Sequence, residues 1–172
     1  MERIKTDYGY KKISSSGVVK HFNKKGKLHN PNGPASEWPD GDKAYYIDGL
    51  RHRTDGPAVE NLHGHKEYWV NGVLTRTDGP CVEYVYGHKV YYVNGELHNP
   101  NGPAVEYANG SKAYYVNGER HRSDDDWGPA IQLPNGNKAY YKNGKLHNTQ
   151  GFAVITEKYS LNFLNGKYVW KE

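Results

Sequence analysis

The sequence predicts an all-β fold: an elongated antiparallel meander of about six 23-residue β-hairpin repeats that forms a single-layer, twisted sheet with almost no helix.

 Three observations predict this fold. Gly-Pro landmarks recur at a nearly constant spacing, and runs of Tyr and Val end at Asn-Gly dipeptides. No segment sustains the apolar period of about 3.6 residues that a helix requires.

The Gly-Pro landmarks set the length of the repeat. Gly-Pro pairs begin at residues 33, 56, 79, 102 and 128, and Gly151-Phe152 is a degenerate sixth. Successive spacings are 23, 23, 23, 26 and 23 residues, and the longer one belongs to a 26-residue repeat at 111–136. The repeat domain is therefore predicted at residues 17–166, between an N-terminal lead-in at 1–16 and a C-terminal tail at 167–172.

Each repeat contains two short runs with the composition of strands. The run KAYYV ends in Asn117-Gly118, and Asn-Gly favours a type I′ turn because both central residues take positive φ. A second short run, PAVEY at residues 103–107, ends in Asn109-Gly110 and leads into the next KAYY run. With two-residue turns throughout, we expect Val105 opposite Tyr114 and Tyr114 opposite His121. Between the hairpins, the segment RxDGPA is predicted to be a turn, because Pro is excluded from central strands.

Composition narrows the class of protein. Only 35% of the residues are hydrophobic, and 16 are Tyr, which favours a thin structure over a deep aliphatic core. The net charge of +4 is mildly basic and weaker than in dedicated nucleic-acid binders. Cys81 is the single cysteine, so an intramolecular disulfide framework is excluded and a reducing compartment is favoured. No apolar stretch has the length of a membrane span or signal peptide, so we expect a cytoplasmic protein without membrane insertion.

The landmarks NGELHNPNGPAVEYANG, at residues 94–110, resemble the MORN repeat family. Nearly the whole chain is similar to the MORN-like variant of bacteriophage, bacterial and giant-virus proteins, although it lacks the YEGEW opening of the better-known form. The resemblance implies an elongated β-hairpin sheet that is used for protein contacts and has no enzymatic activity. It also implies a viral, phage-type protein that acts in the cytoplasm of the host cell. Inhibition of a host defence or regulatory factor is a further hypothesis.

Histidine occupies one position of most repeats, and Thr75 replaces it in the third. The members of this histidine column are His29, His52, His98, His121 and His147. Equivalent residues are expected about 10 Å apart, because each repeat adds two strands at ~4.8 Å each. Ligands of one Zn²⁺ lie about 2 Å from the metal, so no shared metal site is predicted. Each histidine is instead predicted to hydrogen-bond the backbone of the RxDG turn that follows it.

Neither metal ligation nor catalysis is predicted elsewhere. His63, His65 and His88 lie outside the histidine column, but no third or fourth ligand accompanies them. The spacing of His52 and Asp55 belongs to the repeat, and no lone nucleophile is set against such pairs. Cys81 replaces the Ala of GPA and is interpreted as a small side chain. We therefore expect a non-enzymatic protein without catalytic residues, metal or cofactor.

Rows of aromatic and cationic side chains are the candidate binding residues. The tyrosines of the first row are Tyr45, Tyr68, Tyr91, Tyr114 and Tyr140, and the arginines near the turns are Arg51, Arg53, Arg76, Arg120 and Arg122. Such rows can stack on and neutralise a single-stranded nucleic acid or a nucleotide. The favoured interpretation is that cross-strand tyrosines hold a thin sheet together, while an exposed subset still binds.

One loop breaks the period of the repeats. It contains Asp124, Asp125, Asp126 and Trp127. Insertions in repeat proteins frequently lie on the contact face, and Trp is common among binding hot spots. The equal alternative is a tolerated loop whose Trp127 packs back on Tyr115.

Three binding functions follow from these patterns. The leading hypothesis is docking of a host protein through the extended repeat surface. The second is capture of a nucleotide or single-stranded nucleic acid by the Tyr, Lys and Arg rows. The third is self-association, in which exposed end strands of two copies pair to give a homo-oligomer.

Overall fold

A computed structural model describes residues 2–122 and 128–170 of the chain. The chain divides into two compact units, residues 1–85 and 86–172. All regular structure in the described residues is β-strand, which confirms the all-β prediction. Within these ranges there is accordingly no helix with the length and apolar character needed to cross a membrane.

The N-terminal unit contains twelve strands. They are β1 (Glu2–Thr6), β2 (Gly9–Ile13), β3 (Val19–Asn23), β4 (Ser36–Glu37), β5 (Lys43–Ala44), β6 (Tyr46–Ile47), β7 (Leu50–Arg51), β8 (Val59–Glu60), β9 (Lys66–Glu67), β10 (Trp69–Val70), β11 (Val73–Leu74) and β12 (Val82–Glu83). Eight of them form an antiparallel sheet in the order β1-β2-β3-β4-β5-β8-β9-β12. The other four pair as the hairpins β6-β7 and β10-β11.

The C-terminal unit repeats this arrangement. Its described strands are β13 (Lys89–Val90), β14 (Tyr92–Val93), β15 (Glu96–Leu97), β16 (Val105–Glu106), β17 (Lys112–Ala113), β18 (Tyr115–Val116), β19 (Glu119–Arg120), β20 (Ile131–Gln132), β21 (Lys138–Ala139), β22 (Tyr141–Lys142), β23 (Lys145–Leu146), β24 (Val154–Ile155), β25 (Ser160–Leu161), β26 (Phe163–Leu164) and β27 (Lys167–Tyr168). The sheet order is β13-β16-β17-β20-β21-β24-β25, and the remaining strands form four two-stranded hairpins. The predicted antiparallel meander is confirmed within each unit.

The KAYYV run differs from the prediction, because it is not one continuous strand. Lys112 and Ala113 belong to the sheet, whereas Tyr115 and Val116 belong to a separate hairpin. Tyr114 lies between them: its N–H donates to the carbonyl of Ala130 (2.8 Å), and its own carbonyl accepts from the N–H of His121 (3.2 Å). The first tyrosine of each pair therefore marks a junction between two ladders.

The turns of these hairpins are of the predicted type. Both central residues have positive φ, for example 49° at Asn117 and 78° at Gly118. The first central residues with positive φ are Asp48, Asn71, Asn94, Asn117, Asn143 and Asn165. Asn and Asp tolerate this left-handed conformation better than other residues with a side chain, so the type I′ assignment is confirmed.

The turns between sheet strands have three residues in the loop, and the expected register there is wrong. Val105 pairs with Ala113, not with Tyr114, and Glu106 pairs with Lys112. The N–H of Gly110 donates to the carbonyl of Tyr107 (2.9 Å), and Gly110 has a φ of 84°. This combination is a type I turn followed by a left-handed glycine, which adds one residue to a two-residue loop and shifts the pairing by one.

Small side chains form the core of each unit. Ala35 and Ala58 in the N-terminal unit and Ala104, Ala130 and Ala153 in the C-terminal unit are each 0% exposed, and Cys81 at the equivalent position is 1% exposed. These residues come directly after the Gly-Pro turns, and the carbonyl of Ala58 accepts the N–H of Tyr45 at 2.7 Å. The burial of Cys81 agrees with its interpretation as a small side chain, and the core is thin, as the composition predicts.

Both ends of the array contain strands that the sequence reasoning did not predict. The lead-in forms β1 and its partner β2, whose five residue pairs run from Glu2 opposite Ile13 to Thr6 opposite Gly9. At the other end, Phe163 pairs with Tyr168 across the Asn165-Gly166 turn, so a hairpin extends into the predicted tail. The run FLNGKY carries the same Asn-Gly signal as the earlier hairpins, and a search for it would have found this one.

Candidate binding surface

The loops between the hairpins and the sheet, which we term clamp loops, span the segments from the histidine column to Gly-Pro. In three repeats an Asn follows the histidine and closes the loop. Nδ2 of Asn30, Asn99 and Asn148 donates to the carbonyl four residues later, at 2.8, 2.9 and 2.8 Å. The amide oxygen of each Asn accepts the N–H two residues later, which is the Asx-turn geometry.

Arginine closes the clamp loop in two other repeats. Nη1 of Arg53 donates to the carbonyl of Pro57 (3.2 Å), and Nη1 of Arg76 donates to that of Pro80 (3.3 Å). Nε of each Arg donates to an Asp two residues later, Asp55 or Asp78, at 2.9 and 2.8 Å. These hydrogen bonds lower the pKa of both aspartates. The guanidinium of Arg in two repeats and the carboxamide of Asn in three others thus donate to the equivalent backbone carbonyl of their own loop.

These two arginines, and also Arg122, stack on tyrosines of the first row. The guanidinium carbon lies 4.0 Å from the ring centre of Tyr45 for Arg53, 3.9 Å from Tyr68 for Arg76, and 4.3 Å from Tyr114 for Arg122. Burial raises the pKa of Tyr45 and Tyr68, and the nearby arginine charges oppose this shift. These candidate binding residues are therefore engaged in closing the loops.

A carboxylate completes each arginine clamp. Nη1 of Arg76 lies 2.6 Å from Oε1 of Glu83, and Nη1 of Arg53 lies 3.6 Å from Oε1 of Glu60. Tyr91, another candidate of the first row, donates its backbone N–H to the carbonyl of Ala104 at 2.8 Å. A role of this row in binding stays a prediction.

Arg51 and Arg120 lie in the hairpins and contact aromatic residues that come one position after the tyrosines of the first row. The guanidinium of Arg51 is 5.2 Å from the ring centre of Trp69, and that of Arg120 is 5.6 Å from Tyr141. Nε of Arg120 donates to the hydroxyl of Tyr115 (3.3 Å), and this hydrogen bond raises the pKa of Arg120. Arg51 and Arg120 therefore contact different aromatic rings from those that Arg53, Arg76 and Arg122 contact.

Glu67 is a polar residue that the sequence reasoning missed. Its carboxylate accepts from Nη1 of Arg51 (2.7 Å), Nε1 of Trp69 (2.7 Å) and Nε2 of His65 (3.0 Å). Burial acts to raise the pKa of Glu67, but the hydrogen bonds from His65 and Trp69 and the charge of Arg51 outweigh it, and the pKa is lowered. Alanine stands at the equivalent position 113, so comparison of the repeats would have exposed this substitution.

The histidine column joins one repeat to the next. Nδ1 of the histidine accepts the N–H of the first turn residue of the following hairpin. The pairs are His29 with Asp48 (3.1 Å), His52 with Asn71 (3.1 Å), His98 with Asn117 (3.2 Å), His121 with Asn143 (3.2 Å) and His147 with Asn165 (3.1 Å). The expected bond to the RxDG turn is wrong, because the acceptor is directed at the neighbouring hairpin instead.

A second bond reinforces each of these junctions. The N–H of the turn glycine donates to a carbonyl in the preceding hairpin, as from Gly72 to Arg51 (2.9 Å) and from Gly118 to Leu97 (2.9 Å). The turn of one hairpin is therefore held by an imidazole and a main-chain carbonyl of its neighbour. In the described ranges, no group of three or more His, Cys, Asp or Glu is arranged to hold a metal ion.

Large apolar side chains are exposed at the turns between sheet strands, at the opposite ends of the strands from the clamp loops. In the N-terminal unit they are Trp38, Leu62, Tyr84 and Val85, with 38%, 70%, 47% and 46% exposure; we term these four residues the distal edge. The C-terminal unit exposes Tyr107, Leu133 and Tyr159 in turns of the same kind. Sequence reasoning missed these residues, because both their identity and their exact position within the turn vary from repeat to repeat.

Shallow grooves separate consecutive clamp loops in the N-terminal unit. One has a volume of about 560 Å³ and lies between the loops that begin at Asn30 and Arg53. The next has a volume of about 570 Å³ and lies between the loops of Arg53 and Arg76. Thr54 and Asp55 line both grooves and Asp78 lines the second, so each wall includes polar and charged groups beside apolar ones. The predicted contact residues Asp124, Asp125, Asp126 and Trp127 lie outside the described residues.

Comparison with protein-family models gives no match, and neither does comparison with curated proteins.

Proposed function

We propose that this chain is a non-enzymatic protein-binding repeat protein that contacts its partner along the distal edge. The observation that carries the proposal is the recurrence of large exposed apolar residues in the turns between sheet strands. Aromatic and aliphatic anchors supply most of the energy of protein interfaces, whereas scattered surface apolar residues carry no such meaning. The resemblance to MORN-like repeats supports a host protein as the partner.

The distal edge is held in place before any partner arrives. The N–H of Leu62 donates to Oδ1 of Asp42 in the preceding turn (3.0 Å). The ring of Tyr84 lies 5.2 Å from the ring of His65, which belongs to the turn before it. Turns that are already ordered lose less conformational entropy on binding, so these contacts favour association.

The clamp loops are less suited to the same role. The guanidinium groups of Arg53 and Arg76 are already engaged by carboxylates, backbone carbonyls and tyrosine rings of the same chain. A partner that used them would first have to break these contacts. The loops are thus better explained as parts of the scaffold that present the opposite edge.

Site-specific photo-crosslinking tests the proposal. A benzophenone side chain at Leu62 or Tyr84 samples the distal edge, and the same group at the exposed Thr54 or Thr77 samples the clamp loops as a matched control. We expect a discrete crosslinked protein from the distal positions only, and its loss when Trp38→Ser is added. Adducts only at Thr54 and Thr77, or no adduct at either edge in the cells of origin, would overturn the proposal.

A further inference from the structure

Basic charge is concentrated at one end of the chain. Residues 1–27 contain eight Lys or Arg and two Asp or Glu, a net charge of +6, whereas the whole chain has +4. The remaining residues, 28–172, therefore carry a net charge of −2. The basic segment coincides with β1, β2 and β3, the longest strands of the N-terminal unit.

The pairing of these three strands places most of the cations on one face. Arg3 pairs with Lys12, which pairs with Lys20, and Lys5 pairs with Tyr10, which pairs with Phe22. Directly paired residues point to the same side of a sheet. We term the face that holds Arg3, Lys5, Tyr10, Lys12, Lys20 and Phe22 the basic face.

On the basic face, cations of neighbouring strands are paired with one another, whereas the lysines of β5 and β9 in the repeats are paired with carboxylates. In the repeats of the same unit the cross-strand row alternates in sign, and runs Glu37, Lys43, Glu60, Lys66, Glu83. Directly opposed like charges destabilise a sheet, whereas opposed unlike charges stabilise it. The row Arg3, Lys12, Lys20 therefore has an electrostatic cost that a bound polyanion would remove.

Protein carboxylates do not neutralise this face in the part of the chain that the structure describes. No ion pair joins Arg3, Lys5, Lys12 or Lys20 to a carboxylate of the described residues, whereas ion pairs recur among residues 29–83. Arg3, Lys5, Lys20 and Lys24 are exposed, and Arg3, Lys5 and Lys24 line an open groove of about 880 Å³. Asp7 is the one acid in the wall of that groove.

Aromatic rings lie among these cations. The rings of Tyr10 and Phe22 are stacked with centres 5.1 Å apart, and the guanidinium carbon of Arg3 is 3.9 Å from the ring centre of Tyr10. Nζ of Lys12 is 5.7 Å from Tyr10 and 5.6 Å from Phe22. Rings and a planar guanidinium offer stacking surfaces for bases, and the flanking ammonium groups match phosphates.

We propose that the basic face binds single-stranded nucleic acid. Cations neutralise the backbone, and Tyr10, Phe22 and the plane of Arg3 provide stacking for unpaired bases. A duplex hides its base faces, and an anionic membrane or acidic protein has no bases to stack, so the aromatic component selects the single strand. This surface is distinct from the distal edge and does not depend on its function.

Fluorescence anisotropy with a labelled oligo-dT tests the proposal on the full chain. With four phosphates neutralised, by Arg3, Lys5, Lys20 and Lys24, the slope of log K against log[salt] is expected near −2.8, at about −0.7 per contact. Affinity should then fall about fifty-fold between ~50 and ~200 mM salt. The triple variant K5Q/K20Q/K24Q should reduce the slope to about −0.7 and weaken binding at low salt by at least about tenfold.

A matched control removes the same charge elsewhere. The triple variant K89Q/K112Q/K145Q changes exposed lysines of the repeats and should alter affinity less than about twofold. Phe22→Leu should weaken binding but keep the salt slope, because it removes stacking and no charge. The thermal transition of each variant is recorded, and the salt slope of the unmodified protein tests the proposal even where a variant fails to fold.

Binding measurements with two other polyanions show which results would overturn the proposal. Duplex DNA of the same length and vesicles of anionic lipid are measured under the same conditions. Equal affinity for the duplex, binding to vesicles without binding to oligo-dT, or equal loss in the control triple variant would each overturn it. A crosslinked protein at the distal edge would leave this result unchanged, so the two proposals fail separately.

Discussion

Removing the imidazole of His121 tests whether the histidine column holds neighbouring repeats together. His121 is 9% exposed, and its Nδ1 accepts the N–H of Asn143 at 3.2 Å. His121→Ala leaves that N–H without its protein acceptor. A buried unsatisfied donor costs about 1–3 kcal/mol, and the lower part of this range applies because Asn143 lies in an exposed turn that water can reach. We therefore expect a loss of about 1–2 kcal/mol.

The assay is thermal unfolding followed by circular dichroism. For a chain of this size a loss of 1 kcal/mol lowers Tm by about 2–4 °C, so His121→Ala should lower it by roughly 2–8 °C. His121→Asn is the informative partner variant, since its Oδ1 can occupy the place of Nδ1 and accept the same N–H. His63→Ala is the control, because His63 lies in an exposed turn outside the column.

The comparison among the three variants decides the matter. We expect His121→Asn to recover part of the Tm that His121→Ala loses, and His63→Ala to leave Tm unchanged. If His121→Ala matches His63→Ala, or if Asn recovers nothing, the imidazole-to-turn hydrogen bond is not what stabilises the junction.

Three further predictions concern the loops, the core and pH. Arg76→Asn should lower the free energy of unfolding by less than about 1 kcal/mol, because Asn99 closes the equivalent loop by donating to the carbonyl of Pro103. Arg76→Ala should lower it by about 1–2 kcal/mol in urea denaturation, and equal losses would refute the equivalence of Arg and Asn. Ala104→Leu should cost about 1–3 kcal/mol by overpacking a fully buried position, while Ala108→Leu in an exposed turn should be neutral, and a harmless Ala104→Leu would contradict the thin core. Burial lowers the pKa of His21, with Glu37 opposing and Lys11 adding to the shift, so the unfolded chain binds this proton more tightly. The contribution of neutral His21 to stability is therefore full above about pH 6.5 and is lost as pH falls through the lowered folded pKa. His21→Gln should flatten the decline in Tm with acidity, and an unchanged decline would contradict this assignment.

The period and the hairpin turns were predictable from sequence because each signal is local and occurs many times. Asn117-Gly118 demands positive φ at both positions, and the structure has it. Asn109-Gly110 has the same spelling but forms a three-residue loop, since Asn-Gly also fits a type I turn that ends in a left-handed glycine. The spelling alone does not distinguish these two turns.

The contacts between repeats were not predictable, because they join residues far apart in the chain. His98 reaches the turn residue Asn117, nineteen positions later, and no local pattern marks that pairing. The equivalence of Arg76 and Asn99 was hidden as well, since two unlike side chains donate to the same carbonyl position. Two of the candidate binding residues, Arg53 and Arg76, close loops, and a role of the rows in binding stays a prediction.

The bonds between consecutive hairpins have a consequence for how such a chain can change in length. Each junction ends on main-chain groups of the next turn, as in the pairs of His52 with the N–H of Asn71 and of Gly72 with the carbonyl of Arg51. Main-chain groups are the same whatever the side chain, so a copied or deleted segment of 23 residues meets a compatible neighbour at both borders. Duplication can therefore add contact positions without redesigning the joints, and the residues at the turns are left free to diversify.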